Sequence, residues 1–317
     1  MTWRIESGNA PAAIAGVNPT LDYRFAIDRS EIEVTSLTDK LTFTRPSIGT
    51  YVSQSNVIET ANNNIPRFNS RYTNNPGLIV EPQRINRLIY STLPPLAGLG
   101  TANRIGSNCL TGTNTAIAPD GTLSAYTVNP SASYSYVGVG GNQFSVVSGT
   151  TYRASIWVKK FPGITYSNLS FVVNGWASPD VVSFNYQLNN SNDWIRVSAT
   201  FTSNITASRD FFLIRQQSGS AVASQPLYVW GQQIEIGSTL TTFIPTGATT
   251  VTRSADSAII NGTGVITGTY TMVEKPAGCA VVNGTNIDLV SGYTAERVMV
   301  FPTALSAGQI TSIRNAM

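Results

Sequence analysis

The chain contains no histidine. That removes the commonest general base, the commonest zinc ligand and the usual activator of a serine or cysteine nucleophile, so Ser-His-Asp and Cys-His chemistry are excluded outright. Charge is scarce as well: Asp, Glu, Lys and Arg together make 12% of the residues, with a net charge of +3. The 20 basic residues stand singly apart from Lys159-Lys160, which leaves no footprint for nucleic acid or an anionic membrane. Only two cysteines occur, Cys109 and Cys279, at no metal or redox spacing. They read as two buried small hydrophobes, with a disulfide as the alternative. No apolar run reaches the ~18 residues of a membrane helix. The opening MTWRIESGNA carries Arg4 and Glu6 and lacks the ~7 to 15 apolar residues of a secretory signal, so we expect folding in a cytoplasm without membrane insertion. Phosphate-loop and dinucleotide patterns are missing, and GVGGNQ at 138–143 reads as a hairpin loop. No acidic calcium loop occurs either, although Asp120 with backbone carbonyls could hold a structural calcium. No cofactor is expected.

What is present is β chemistry. A chain of 317 residues is long enough for about two domains. Hydrophobic residues make 42% of it, and 26 Gly and 16 Pro are spread along it, the profile of an all-β, turn-rich protein whose polar surface is built from Asn, Ser, Thr and Gln. In YRASIWVKK, Tyr152, Ala154, Ile156 and Val158 alternate with Arg153, Ser155, Trp157 and Lys159. WIRVSATFTS repeats the device, with Ile195, Val197, Ala199 and Phe201 facing inward and Trp194, Arg196, Ser198 and Thr200 outward. Such alternation marks half-buried strands. Similar segments recur every ~8 to 12 residues across 97–250, which predicts a jelly roll or β-sandwich.

Residues 20–96 hold further short strands, with 62–77 read as a loop broken by Pro66 and Pro76. Residues 251–317 add strands and a helix in which Ser306 is the cap and Gln309 closes the capping box. Leu305, Ile310 and Ile313 would share one side of it. Each of these flanking regions has too few strands to cover its own apolar face, so the two are expected to complete one second sandwich into which 97–250 is inserted. Residues 1–19 lack periodicity and read as an arm that orders only against something else.

Two stretches resemble known sequences. LTFTRPSIGTYVSQSNVIETANNNIPRFN with GLIVEPQRINRLIYST is similar to an opening segment common in phage and prophage virion proteins. The matching positions are Phe43, Thr44, Arg45, Thr50, Tyr51, Val52, Pro66, Arg67, Phe68, Gly77, Leu78, Ile79, Glu81, Gln83, Arg84, Asn86, Leu88, Tyr90 and Ser91. WGQQIEIGSTLTTFIPTGATTVTRSAD resembles the closing signature of the carbohydrate-binding-module-like jelly roll in the same proteins, at Trp230, Gly231, Gln233, Glu235, Gly237, Ile244, Pro245, Thr246, Thr252, Arg253, Ala255 and Asp256. ERVMVFPTALSAGQITSI resembles the last strand and helix of laminin-G-like sandwiches over a shorter span. Relatives often carry a fuller laminin-G-like domain there, which puts an independent C-terminal lectin domain in doubt.

The resemblance implies a non-enzymatic phage virion structural protein, a tail-fibre or adhesin-type appendage presenting a jelly roll to a host surface glycan. The alternative is a capsid decoration or head-fibre protein that cements a shell; a glycan depolymerase ranks below both. Its place would be the virion, assembled in a host cytoplasm and freed by lysis. Its partners would be further copies of itself as a homotrimer, other virion proteins through the arm, and a glycan.

For glycan stacking the candidates are Trp157, Trp176, Trp194, Tyr186 and Trp230, with Asn174, Asn185, Gln187 and Gln216 as polar neighbours. The competing reading makes the same rings core or interface. Arg45, Arg67, Arg84 and Arg253 suit pairing with Glu81, Glu235 or Asp256 at a domain seam, and Gly231 and Gly237 suit a bulge or close backbone approach. Hydrolysis needs two carboxylates about 5 to 10 Å apart. Within 97–250 the carboxylates are Asp120, Asp180, Asp193, Asp210 and Glu235, with Asp120, Asp180 and Asp193 in turn-like contexts.

Overall fold

The computed structural model describes residues 21–24, 41–69, 77–92, 110–128, 136–137, 144–161, 169–174, 182–186, 193–212, 214–215, 227–261, 269–275, 279–283, 286–289, 293–295, 297–301 and 303–316. The described residues are all-β with one short helix. The chain forms two compact units, Met1–Gln83 with Arg253–Met317 (unit 1) and Arg84–Thr252 (unit 2).

Unit 1 is knitted from both ends of the chain. Leu21–Arg24 pairs antiparallel with Arg297–Phe301, Leu41–Thr44 with Ser257–Asn261, and Gly77–Val80 with Tyr293–Ala295. The reason is burial. Leu41 and Phe43 are buried while Thr42 and Thr44 are exposed, a period-two strand that needs a cover, and every residue of Gly77–Val80 is buried. The 62–77 segment is not wholly loop: Phe68–Asn69 pairs with Leu78 and Gly77, because Pro66 falls just ahead of the bridge and costs it no donor. The helix spans Ala307–Ala316 and contacts the Thr269–Lys275 strand. Ser306 Oγ accepts the Gln309 amide at 3.3 Å and Gln309 Oε1 accepts the Ser306 amide at 2.9 Å, a reciprocal capping box. Leu305 and Ile313 are buried.

Unit 2 is a β-sandwich. Its five-stranded sheet runs Ile195–Thr202, Thr151–Lys160, Leu227–Ile236, Ala125–Val128, Leu110–Ala116. Its four-stranded sheet runs Phe144–Val146, Ala207–Phe212, Leu169–Asn174, Val182–Tyr186. Tyr152 and Phe201 are opposite in register and stack at 5.3 Å. Phe144 of the other sheet meets Tyr152 edge-on at 6.4 Å, so this face lies between the sheets. Ala154, Ile156, Val158, Val197 and Ala199 share it and are buried.

The boundary of unit 2 lies at Arg84 rather than at residue 97, because residues 86–91 are bonded into the unit. Asn86 Nδ2 donates to the Gln232 carbonyl at 3.2 Å and the Ile244 carbonyl at 2.9 Å, while its Oδ1 accepts the Ile234 and Leu88 amides, both at 3.2 Å. Ser91 and Thr246 exchange bonds in the same way, the Ser91 amide to Thr246 Oγ1 at 3.0 Å and the Thr246 amide to Ser91 Oγ at 2.8 Å. The arm at 1–19, GVGGNQ and Cys109 lie outside the described residues; Cys279 opens the Cys279–Asn283 strand.

Candidate functional site

The charged residues singled out in the sequence meet within each unit. In unit 1, Arg45, Arg67, Glu81, Arg253 and Asp256 are all buried. Arg67 Nη2 lies 2.9 Å from Glu81 Oε2 and 2.6 Å from Asp256 Oδ2. Arg45 Nη1 reaches Asp256 Oδ1 at 3.2 Å, and Arg253 Nη1 bonds Glu81 Oε2. Further donors go to carbonyls: Arg45 Nε to Ser47 at 2.8 Å and Nη2 to Asn62 at 2.8 Å, Arg67 Nη1 to Thr50 at 2.7 Å, Arg253 Nη2 to Pro82 at 2.8 Å. The backbone joins in, with the Glu81 amide donating to Asp256 Oδ2 and the Asp256 amide to the Glu81 carbonyl, both at 2.8 Å. Gly49 makes room for the lattice: a Cβ there would sit 3.0 Å from Arg45 Nε and 3.1 Å from Arg67 Cδ. Burial pushes the Arg45 guanidinium below its ordinary value, Arg67 adds to the shift, and Asp256 opposes it.

In unit 2 the remaining pair, Arg84 Nε and Glu235 Oε2, stand 3.7 Å apart. Glu235 is spent mainly on Thr241, accepting its amide at 3.0 Å and its hydroxyl at 2.6 Å. Gln233 accepts the Ile244 amide at 2.7 Å and donates to the Thr242 carbonyl at 3.3 Å. These side chains clamp the segment 241–246 back along its own strand, on the face away from the sandwich interior.

That clamp corrects the expectation for Trp157. Strand alternation places it on the outer face, but it is only 9% exposed, since the returning segment seats Phe243 against Trp157 at 5.3 Å and against Trp230 at 4.8 Å. Trp157 and Trp230 meet edge-on at 5.5 Å, and the Arg196 guanidinium caps Trp157 at 4.3 Å from the ring centre. A bulge sets this geometry. Ser155 is opposite Gln233 and Trp157 opposite Trp230, so Ile156 faces both Gly231 and Gln232, and Gly231 takes φ 67°. The outer face is therefore closed core at this level and offers no platform.

Trp194 is half-buried, and its Nε1 donates to the Ile117 carbonyl at 3.0 Å. Tyr186 and Asn185 belong to the Val182–Tyr186 strand, opposite Leu169 and Ser170, and Asn174 ends the Leu169–Asn174 strand. Trp176, Gln187, Gln216 and Asp180 lie outside the described residues, and Asp210 is placed by its backbone alone, opposite Asn174. Asp193 is exposed, and Asp120 sits in a turn where its Oδ1 accepts the Thr122 amide at 3.0 Å. Among the described residues no group of Cys, Asp and Glu is arranged to hold a metal, and no helix is long and apolar enough to cross a membrane. Sequence reasoning missed Arg196 and Phe243. Alternation had Arg196 and Trp157 on one face, and only the register makes them neighbours; Phe243 lies in TLTTFIPTG, which carries no period at all.

No protein-family model matches the chain, and no curated protein is similar to it. Among solved structures, a CBM4 structure is similar at 20% identity, covering 36% of this chain and 84% of that one, with a TM-score of 0.29. The N-terminal cellulose-binding domain of Cellulomonas fimi β-1,4-glucanase C is similar at 19% identity, covering 45% and 97%, with a TM-score of 0.28. The tripod from the baseplate of bacteriophage Tuc2009 is similar at 14% identity, covering 84% and 99%, with a TM-score of 0.31.

The bulge generates a test. A Cβ at Gly231 would stand 2.8 Å from Trp157 Cε3, in a backbone conformation that also strains an L residue. Gly231→Ala is expected to cost about 2 to 4 kcal/mol in chemical denaturation followed by tryptophan fluorescence, which reports mainly unit 2 because four of the five tryptophans lie there. An unchanged midpoint would contradict the packed outer face.

Proposed function

We propose that the protein is a non-enzymatic structural component of a phage virion, a tail-fibre or adhesin-type appendage whose unit 2 engages a surface glycan. One observation carries this reading. The positions that make the sequence resemble phage virion proteins include those that supply the buried polar bonds: Arg45, Arg67, Glu81, Arg253 and Asp256 in unit 1, and Asn86, Ser91, Gln233, Glu235 and Thr246 in unit 2. Agreement at such positions demands matching partners in three dimensions, which shared composition does not supply. The carboxylates support the non-enzymatic part. Glu81 and Asp256 are close through Arg67 but buried among guanidinium groups, and Glu235 is engaged by Thr241; none is poised to protonate a leaving group.

The burial of Trp157 favours a second reading, a capsid decoration or head-fibre protein with no obligatory ligand, since it withdraws one of the rings a glycan would use. Under either reading the chain assembles with itself as a homotrimer, the closed cyclic symmetry suited to an appendage or a shell site, and residues 1–19 attach it to neighbouring virion proteins.

Labelling on intact particles separates the two readings: an appendage label contradicts cementing, and a label spread over the shell contradicts the adhesin. In particles carrying Trp194→Ala, the adhesin reading predicts weaker adsorption to cells with a stability change below about 1.5 kcal/mol, the worth of one hydrogen bond. Unaltered adsorption contradicts it. Light scattering on the purified chain should give three times the chain mass, and a monomer at micromolar concentration would sink the trimer.

A further inference from the structure

The turn at Ile117–Ser124 and Trp194 together carry three features of one binding site. First, Trp194 is anchored: its single donor is taken by the Ile117 carbonyl at 3.0 Å, which fixes the half-exposed ring against the turn. Second, the turn presents Ile117 and Leu123, 56% and 57% exposed, as an apolar rim. Third, it presents an oriented carboxylate. Trp230 Nε1 lies 3.0 Å from Ser124 Oγ, Ser124 Oγ lies 2.7 Å from Thr122 Oγ1, and Thr122 Oγ1 lies 2.7 Å from Asp120 Oδ1. Ser124 Oγ accepts from Trp230 Nε1 and from the Thr122 hydroxyl, and Thr122 meets Asp120 Oδ1 through both its amide, at 3.0 Å, and its hydroxyl. The turn is closed by the Ala118 amide on the Thr122 carbonyl at 2.8 Å and the Gly121 amide on the Ala118 carbonyl at 3.0 Å.

Both described bonds to Asp120 end on Oδ1, and the residue is part-exposed, so its carboxylate keeps acceptor capacity for a hydroxyl. A ring face for C–H groups beside an acceptor for hydroxyls is the complement of a pyranose. Other occupants fit less well. An apolar protein surface would strip water from Asp120 without supplying a donor, a costly burial. An anionic sugar would meet Asp120, with exposed Asp193 next to Trp194 in the chain.

We propose that Trp194 and the Ile117–Ser124 turn form a subsite for a neutral hexopyranose, with Trp194 as the stacking ring, Asp120 as the hydroxyl acceptor and Thr122, whose amide and hydroxyl both meet Asp120 Oδ1, as its positioning residue. The proposal rests on the glycan-binding reading above and adds to it the place, the acceptor and the charge of the sugar. One ring and one carboxylate make a weak site, and copies on one particle supply avidity.

The test uses the full chain labelled with 5-fluorotryptophan, whose five residues give separate 19F resonances, with Trp194 assigned through Trp194→Phe. The probes are methyl β-glucopyranoside, methyl β-galactopyranoside, methyl α-mannopyranoside and methyl α-rhamnopyranoside, with glucuronic acid as the anionic comparison. At least one neutral glycoside should shift the Trp194 resonance at millimolar concentration, and glucuronic acid should bind more weakly. Asp120→Asn should raise the dissociation constant roughly ten-fold at an unchanged melting temperature, and Thr122→Val should raise it while leaving the carboxylate in place. A shift at another tryptophan alone would overturn this site and leave the glycan reading standing. No shift with any probe would overturn both. A Trp194 shift that follows protein concentration without sugar would assign the patch to a second copy of the chain and overturn the proposal.

Discussion

Unit 1 depends on a charge cluster held in its interior: among the described residues three guanidinium groups share two carboxylates. Removing such groups from water is expensive, and mutual attraction offsets the cost only when the remaining donors are also satisfied. Here the carbonyls of Ser47, Thr50, Asn62 and Pro82 take up four further guanidinium donors. Arginine suits the task and lysine does not, because one planar fork can serve a carboxylate and two carbonyls at once. The lattice also has a topological consequence. Arg45, Arg67 and Glu81 precede unit 2 in the chain whereas Arg253 and Asp256 follow it, so neither set is satisfied until both chain segments are in place. Strand pairing between the same two segments is thereby made cooperative with the charges.

Unit 2 solves a different problem with neutral groups. Its five-stranded sheet has an outer face bearing Trp157 and Trp230, too apolar to leave to water. The chain covers that face with its own segment 241–246, held by Gln233, Glu235 and Asn86. The Gly231 bulge brings the two tryptophans into register under Phe243. A closed face cannot also be an open platform. At the rim Trp194 and the Asp120 turn remain part-exposed, and the buried Trp230 is bonded to that turn through Ser124.

The fold class was legible because period-two alternation is a local property: Thr151–Lys160 and Ile195–Thr202 read directly as strands with Tyr152, Ile156, Val197 and Phe201 inside. The helix was legible from Ser306 and Gln309, since a capping box spans only four residues. Partner identity was harder. Charge type marked Arg45, Arg67, Arg253, Glu81 and Asp256 as a set, but no local signal says whether they pair within a unit or between units. The exposure of Trp157 was not legible at all, because it is decided by Phe243, which lies far along the chain in a segment without periodicity. Nor was the start of unit 2 at Arg84, which depends on one asparagine side chain reaching three distant backbone groups.

Native-state hydrogen exchange at the backbone amides of Glu81 and Asp256 tests the central claim most directly. Each donates into the lattice, to Asp256 Oδ2 and to the Glu81 carbonyl, from positions outside the strands Gly77–Val80 and Ser257–Asn261. If the charges lock the two chain segments together, both amides exchange only through global opening of unit 1, with protection equal to that of the buried strand amides of Leu78 and Ile260. Exchange at these two amides as fast as in an exposed loop, while Leu78 and Ile260 stay protected, would contradict the account.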